Sequence, residues 1–234
     1  NLMKITRAMI LAAGLGKRLR PLTNTIPKPL IEIGSTSLLE KAIIFLKNQG
    51  IKDIVINVHH LSDQIKKFLK RKKNFNMNIY ISEEKKILDT GGGIKKGTKR
   101  FGKFPFVVLN PDTIWERNYI TDIKKLEQLY FQNNKPCLLL VNKKLSYDKS
   151  FKGDFNLNSK NYVSKGMKNK FIFTGIQILD RSVFKNTKEV FSMNEIWRNL
   201  IKTKILKALK TKNKFIHVNS LKIYKELANQ KIID

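Results

Sequence analysis

Between residues 11 and 30 the chain reads Leu11-Ala12-Ala13-Gly14-Leu15-Gly16-Lys17-Arg18-Leu19-Arg20-Pro21-Leu22-Thr23, and then Pro27-Lys28-Pro29-Leu30. The small residues around Gly14 and Gly16 let backbone N–H groups approach a polyphosphate closely. Arg18 adds a planar fork of donors suited to phosphate oxygens. Lys28 stands between two prolines, which stiffen the backbone and leave its ammonium little freedom to lose. The common phosphate signatures do not fit. The dinucleotide fingerprint needs a third glycine, and a P-loop needs Gly-Lys-Ser/Thr. A lone Gly-x-Gly-x-Arg could be an ordinary turn, but the combined pattern of about twenty residues is far more specific.

Such a loop needs a rigid support, and ligands of open α/β sheets bind at the carboxyl ends of strands. Residues 8–13 are a short continuous apolar run, as in a strand buried on both faces. Ser37-Leu38-Leu39-Glu40 reads as a capping box opening a helix that carries Leu39, Ile43 and Leu46 and stops at Gly50. Strands follow at 54–58, 78–81, 106–109 and 137–141, separated by helices at 61–69, at 90–101 and from a cap at Thr121. After about residue 145 the pattern loosens. A strand is expected at 171–179, a helix at 195–209, a short strand at 215–218 and a closing helix at 221–228. This alternation predicts a mainly parallel sheet covered by helices. One domain is expected over 1–234, built as a first half of about 7–145 and a second half of about 146–234.

The 234 residues and 41% hydrophobic content suit a globular core. No apolar run approaches the ~20 residues that span a bilayer, and Gly14, Lys17 and Arg18 interrupt the only signal-peptide-like stretch. His59 and His60 follow a strand with no metal-ligand spacing around them, so they read as loop residues. Cys137, the only cysteine, lies in an apolar strand and is expected to be an inert core thiol, which fits a reducing cytoplasm. The net charge of +29 raises nucleic-acid binding. The lysines are spread along the chain without interleaved aromatics, however, and coding bias explains them better. A positive field would still draw in phosphorylated substrates.

The Leu11–Thr23 and Pro27–Leu30 pattern resembles the signature of the sugar-1-phosphate nucleotidyltransferase family, and the resemblance extends over most of the chain. Within it the nearest likeness is to the N-acetylmuramate α-1-phosphate uridylyltransferase branch. The matching pieces are Leu88-Asp89-Thr90-Gly91-Gly92-Gly93-Ile94, Asn110-x-Asp112, Gly153-Asp154-Phe155 and Phe173-Thr174-Gly175-Ile176. The resemblance implies a Rossmann-like three-layer α/β/α fold with a mixed, mostly parallel central sheet. It implies an acceptor phosphate oxygen attacking the α-phosphorus of a nucleoside triphosphate, UTP by this branch, with loss of pyrophosphate. Catalysis is then alignment and charge neutralisation. Leu11, Ala12, Ala13, Gly14 and Gly16 would contact the nucleotide. Arg18 would hold the leaving phosphates, and Lys28 would sit near the α-phosphate and the acceptor. Asp112, after a central strand, would hold Mg²⁺; the alternative is a local turn cap. Glu84 and Gly92 are candidates for reading uracil, unless Glu84 simply faces water in its charged run. Asn110, Gly153, Asp154 and Gly175 match positions for the sugar, although the glycines could equally serve a turn and a bulge. The implied partners are a nucleoside triphosphate and a sugar 1-phosphate, in a monomer or small homo-oligomer away from membranes.

Two departures stand out. Pro111 replaces the glycine of Asn-Gly-Asp. The family's closing Trp-x-Asp-Val-Gly-Thr, whose aspartate is a second metal ligand, appears here as Phe215-Ile216-His217-Val218-Asn219-Ser220. Imidazole is a poor partner for hard Mg²⁺, and Asn219 would stand in for glycine through its tolerance of left-handed backbone angles. The alternatives are therefore a transferase for another acceptor (a hexose 1-phosphate, or phosphocholine with CTP) and a weakly active nucleotide-binding relative.

Overall fold

The computed structural model describes residues 4–229. Mostly apolar runs supply the central strands β1 (Arg7–Leu11), β4 (Asp53–Val58), β5 (Asn78–Glu83), β6 (Phe106–Leu109), β7 (Cys137–Asn142) and β10 (Phe171–Leu179), and the more polar β11 (Lys207–Thr211) joins them at the edge. They form one sheet in the order β11-β7-β10-β6-β1-β4-β5. All neighbours are parallel except β10, which runs antiparallel to both β6 and β7. Two-stranded ribbons lie outside it: β2 (Glu32–Ile33) with β3 (Thr36–Ser37), and β8 (Asn156–Leu157) with β9 (Val163–Ser164). Because β10 and β11 join the strands of the first half, the two halves share a single sheet.

Side chains alternate across the strands, so the sheet has two buried faces. Ala8, Ile10, Ile54 and Ile56 pack beneath α1 (Leu38–Asn48), α2 (Ser62–Arg71) and α4 (Tyr119–Asn133). Met9, Val55 and Val108 face α3 (Asp89–Gly97) and α5 (Met193–Lys202). This is the expected three-layer arrangement. A further cluster holds Leu19 fully buried against Ile216, Val218 and α6 (Leu221–Asn229). The end of the chain thus braces the turn that follows Gly16.

Several local expectations hold. Ser37 caps α1, its Oγ accepting the Glu40 N–H at 3.1 Å. Cys137 is buried, and burial pushes its thiol pKa well up. Others need correction. Thr121 lies inside α4, which starts at Tyr119 after an Asn118 that makes no side-chain cap. The helix expected over 195–209 stops at Lys202, and residues 207–211 instead become the edge strand β11. Pairing with buried β7 overrides the helical spacing there. Residues 215–218 make only isolated bridges, Thr113 to His217 and Ser146 to Phe215.

Candidate active site

The chain runs β1 to β4 to β5 on one side, then crosses back to place β6 on the other side of β1. The carboxyl ends of β1 and β6 therefore flank a topological switch point, where crevices form in open α/β sheets. A cavity of about 530 Å³ opens there, walled by the loop after β1, by Lys28, by Asn110–Asp112 and by the segment before α3.

Local chemistry fixes the glycine loop. β1 ends at Leu11, so Ala12 and Ala13 belong to the loop rather than the strand. Gly16 has φ +62°. A Cβ there would sit 2.8 Å from Thr23 Cγ2 and 3.2 Å from Lys28 Cβ, so the backbone angle and the crowding both demand glycine. Thr23 Oγ1 donates to the Gly16 carbonyl at 2.9 Å and ties the loop to the turn after it. His60 Nε2 lies 2.8 Å from the Thr23 carbonyl and props that turn, while His59 Nδ1 meets the Glu84 carbonyl at 2.7 Å. Both histidines are loop struts. Arg18 is exposed and lines the cavity beside buried Leu19.

Lys28 Nζ reaches Asp112 Oδ2 at 2.5 Å across the cavity. His217 Nε2 approaches the same oxygen at 3.0 Å. Backbone bonds from Ile114 N to Ile216 O (2.9 Å) and from Val218 N to Asp112 O (2.8 Å) lock the two segments in register. Burial alone would raise the Asp112 pKa, but the neighbouring His217 and Lys28 outweigh it and hold the carboxyl far below the usual carboxylate range. Asp112 Oδ1 is buried and has no hydrogen-bond partner. Pro111 lies between two anchored residues, Asp112 through the Val218 N–H and Asn110 through two bonds of its own. Asn110 N–H donates to Gly175 O at 2.9 Å, and Asn110 O accepts from Trp115 Nε1 at 2.9 Å.

The other site residues fall into two groups. Leu11, Ala12, Ala13, Gly14, Gly16, Arg18, Lys28, Glu84, Asn110 and Asp112 all line the cavity. Ala12 does so with its N–H already given to Asn57 Oδ1 at 2.8 Å, so that amide is not free for phosphate. Glu84 is buried rather than facing water. Its Oε1 accepts from Asn57 Nδ2 (2.8 Å) and its Oε2 from Leu88 N–H (3.0 Å). Gly92, Gly153, Asp154 and Gly175 are not among the lining residues. Gly92 is held by a neighbouring segment instead. Its N–H donates to Phe191 O, and a Cβ would lie 2.3 Å from Glu189 O, so the glycine admits a neighbouring backbone. Gly153 has φ +86° and abuts the Asn169 carbonyl, while Asp154 Oδ2 accepts from Phe173 N at 2.8 Å. Gly175 has φ +101° at the irregularity in β10 and gives room to Asn110. Asn219 has no positive φ among the described residues, so its left-handed tolerance is not used; its Nδ2 binds Asp148 Oδ2 at 2.9 Å. Sequence reading missed Asn57. Its only signal was one amide interrupting the apolar run of residues 54–58.

The family model for nucleotidyl transferases matches residues 7–144, more than half of the chain and the whole glycine-loop side of the cavity. The chain belongs to the nucleotidyl transferase family. An N-acetylmuramate alpha-1-phosphate uridylyltransferase from Caulobacter vibrioides is 30% identical over 82% of this nucleotidyltransferase and 83% of its own length. A D-glycero-alpha-D-manno-heptose 1-phosphate guanylyltransferase from Campylobacter jejuni is 33% identical over 81% and 83%. Among solved structures, HddC from Yersinia pseudotuberculosis, complexed with GMP-PN, superposes with TM-score 0.76 at 23% identity, covering 97% of this chain and 100% of that one. The nucleotidyltransferase thus has the activity class of a sugar-1-phosphate nucleotidyltransferase. No helix among the described residues is long and apolar enough to cross a membrane.

Proposed function

We propose that the enzyme couples UTP to N-acetylmuramate 1-phosphate, releasing pyrophosphate, in cell-wall sugar recycling in the bacterial cytoplasm. The carrying observation is the Lys28–Asp112 pair, with Lys28 packed beside the glycine loop in a cavity at the sheet's switch point. The uridylyl and muramate assignments rest on the Caulobacter relative and on the Leu88–Ile94 match. An acceptor phosphate oxygen attacks the α-phosphorus, and the bond from that phosphorus to the oxygen bridging to the β-phosphate breaks. The chain supplies no nucleophile. Lys28 offsets the charge of two anions brought together, and exposed Arg18 meets the departing phosphates.

Mg²⁺ fits the residues present. The orphaned Oδ1 of Asp112 is a hard oxygen donor, and Mg²⁺ characteristically uses one or two carboxylates plus substrate phosphates. Bound there, it would neutralise phosphate charge. His217 acts as a brace: it engages Oδ2 and leaves Oδ1 for the ion. The Campylobacter relative favours a second reading, guanylyl transfer from GTP to a heptose 1-phosphate. Pyrophosphate release measured with four nucleoside triphosphates, several sugar 1-phosphates and phosphocholine, with and without Mg²⁺, tests both. Release restricted to UTP and N-acetylmuramate 1-phosphate is expected. Preference for GTP would replace the uridylyl reading, and nucleotide binding without release would overturn both.

A further inference from the structure

One polar chain crosses the floor of the cavity. Ala12 N–H donates to Asn57 Oδ1 (2.8 Å), Asn57 Nδ2 donates to Glu84 Oε1 (2.8 Å), and Leu88 N–H donates to Glu84 Oε2 (3.0 Å). It begins in the glycine loop after β1 and ends one residue before α3, on the opposite wall. Asn57 is 4% exposed and Glu84 3%. A buried carboxylate is costly unless its oxygens are satisfied, and here each oxygen has a donor. Gly93 completes the arrangement. A Cβ on it would lie 2.8 Å from Glu84 Oε1 and 2.9 Å from Asn57 Nδ2, so α3 closes over this bond only because position 93 has no side chain.

We propose that Asn57 and Glu84 are positioning residues that clamp the glycine loop to the Leu88–Thr90 wall and so set the width of the nucleotide cleft. This inference rests on the reading of that cavity as the nucleotide site. Glu84 then acts through the backbone it holds rather than by reading the base with its charge. The polarity of the chain makes this testable. Glu84→Gln alone leaves one amide N–H facing another, whichever way the two amides are turned. Asn57→Asp alone sets two carboxylate oxygens at hydrogen-bond distance. The exchange Asn57→Asp with Glu84→Gln restores all three bonds. The amide nitrogen then at position 84 donates to the carboxylate then at position 57. The amide oxygen at 84 accepts from Leu88, and the carboxylate still accepts from Ala12. The total charge is unchanged.

UTP and GTP affinities by calorimetry, with Mg²⁺, are compared for the parent, both single variants and the exchange, alongside circular dichroism and amide hydrogen exchange. Each single substitution is expected to weaken the preferred nucleotide about tenfold to a hundredfold, the scale of one lost charge-assisted bond. Exchange at residues 12–16 and at Leu88 should accelerate, and the double variant should recover most of both. Should the singles fold poorly, Gly93→Ala is the second route. Alanine favours helices, so weaker binding with faster exchange in that variant marks displacement of the clamp. A folded double variant that binds no better than the weaker single would overturn the proposal, and so would singles that bind like the parent. A parent that binds neither nucleotide overturns the functional reading instead, while hydrogen exchange still reports on the clamp.

Discussion

Lys28 and Asp112 face each other at 2.5 Å, so under the proposed function the substrate polyanion has to compete for an ammonium that already has a carboxylate. That competition suits a group meant to stabilise charge during displacement: the donor is held in place before the reaction rather than recruited by it. Lys28→Ala should lower turnover by about a hundredfold or more while the circular dichroism spectrum is retained, since losing one such donor costs on that scale. Near-parental turnover would remove Lys28 from the chemistry. Asp112 also leaves a signature in stability. Its folded pKa lies far below the ordinary ~3.9 of an aspartate. The carboxylate therefore contributes stability fully above that unfolded value, and the contribution is lost as pH falls toward the depressed folded value. The stability gap between the parent and Asp112→Asn, read from urea melts, should shrink as the pH falls below about 4. A gap that widens toward acid would contradict the assignment. Thr23, His59 and His60 prove to be props for the loops, as expected for the two histidines.

The element that most limits this site is α3. Its Gly91, Gly92 and Gly93 are poor helix formers, yet each is buried. A Cβ on Gly91 would meet the Phe191 ring at 2.2 Å, and one on Gly92 the Glu189 carbonyl at 2.3 Å. The helix gives up intrinsic propensity so that residues 189–191 can lie across it on one side and the Asn57–Glu84 bond on another. Gly92→Ala, normally stabilising in a helix, should here lower the unfolding free energy by about 1–3 kcal/mol, as overpacking does. Chemical denaturation would check it, and a rise in stability would show that the neighbouring backbone yields freely. The single 3₁₀ turn Lys17–Leu19 depends likewise on distant support, because Leu19 is buried under residues from the end of the chain.

For the whole molecule, +29 formal charges on 234 residues make the surroundings of the cavity attractive to anions. If that field assists encounter, kcat/KM for the nucleotide should fall several-fold between roughly 20 and 200 mM salt while kcat barely moves, following the shorter screening length. An equal fall in both would point to damage at the site instead. The core gives an independent check. Cys137 is 1% exposed with a raised thiol pKa, so native protein should resist a thiol reagent that labels it promptly in denaturant.

The geometry of the glycine-loop side of the cavity was legible from the residues alone. A buried strand, a glycine turn, Arg18 and a lysine between two prolines are local features, and local backbone chemistry is enough to read them. The central strands were legible too, because continuous apolar runs have few other places to go. Whatever depends on a distant neighbour emerged only on folding. Residues 207–211 became a strand through pairing with β7, Gly92 became a packing contact through residues 189–191, and His217 came to brace Asp112 through a two-segment zipper. Asn57 gained its role because the ends of β1, β4 and β5 converge. A polar side chain's function is set by the donors and acceptors that folding brings within about 3 Å, and residues far apart in the chain supply them here.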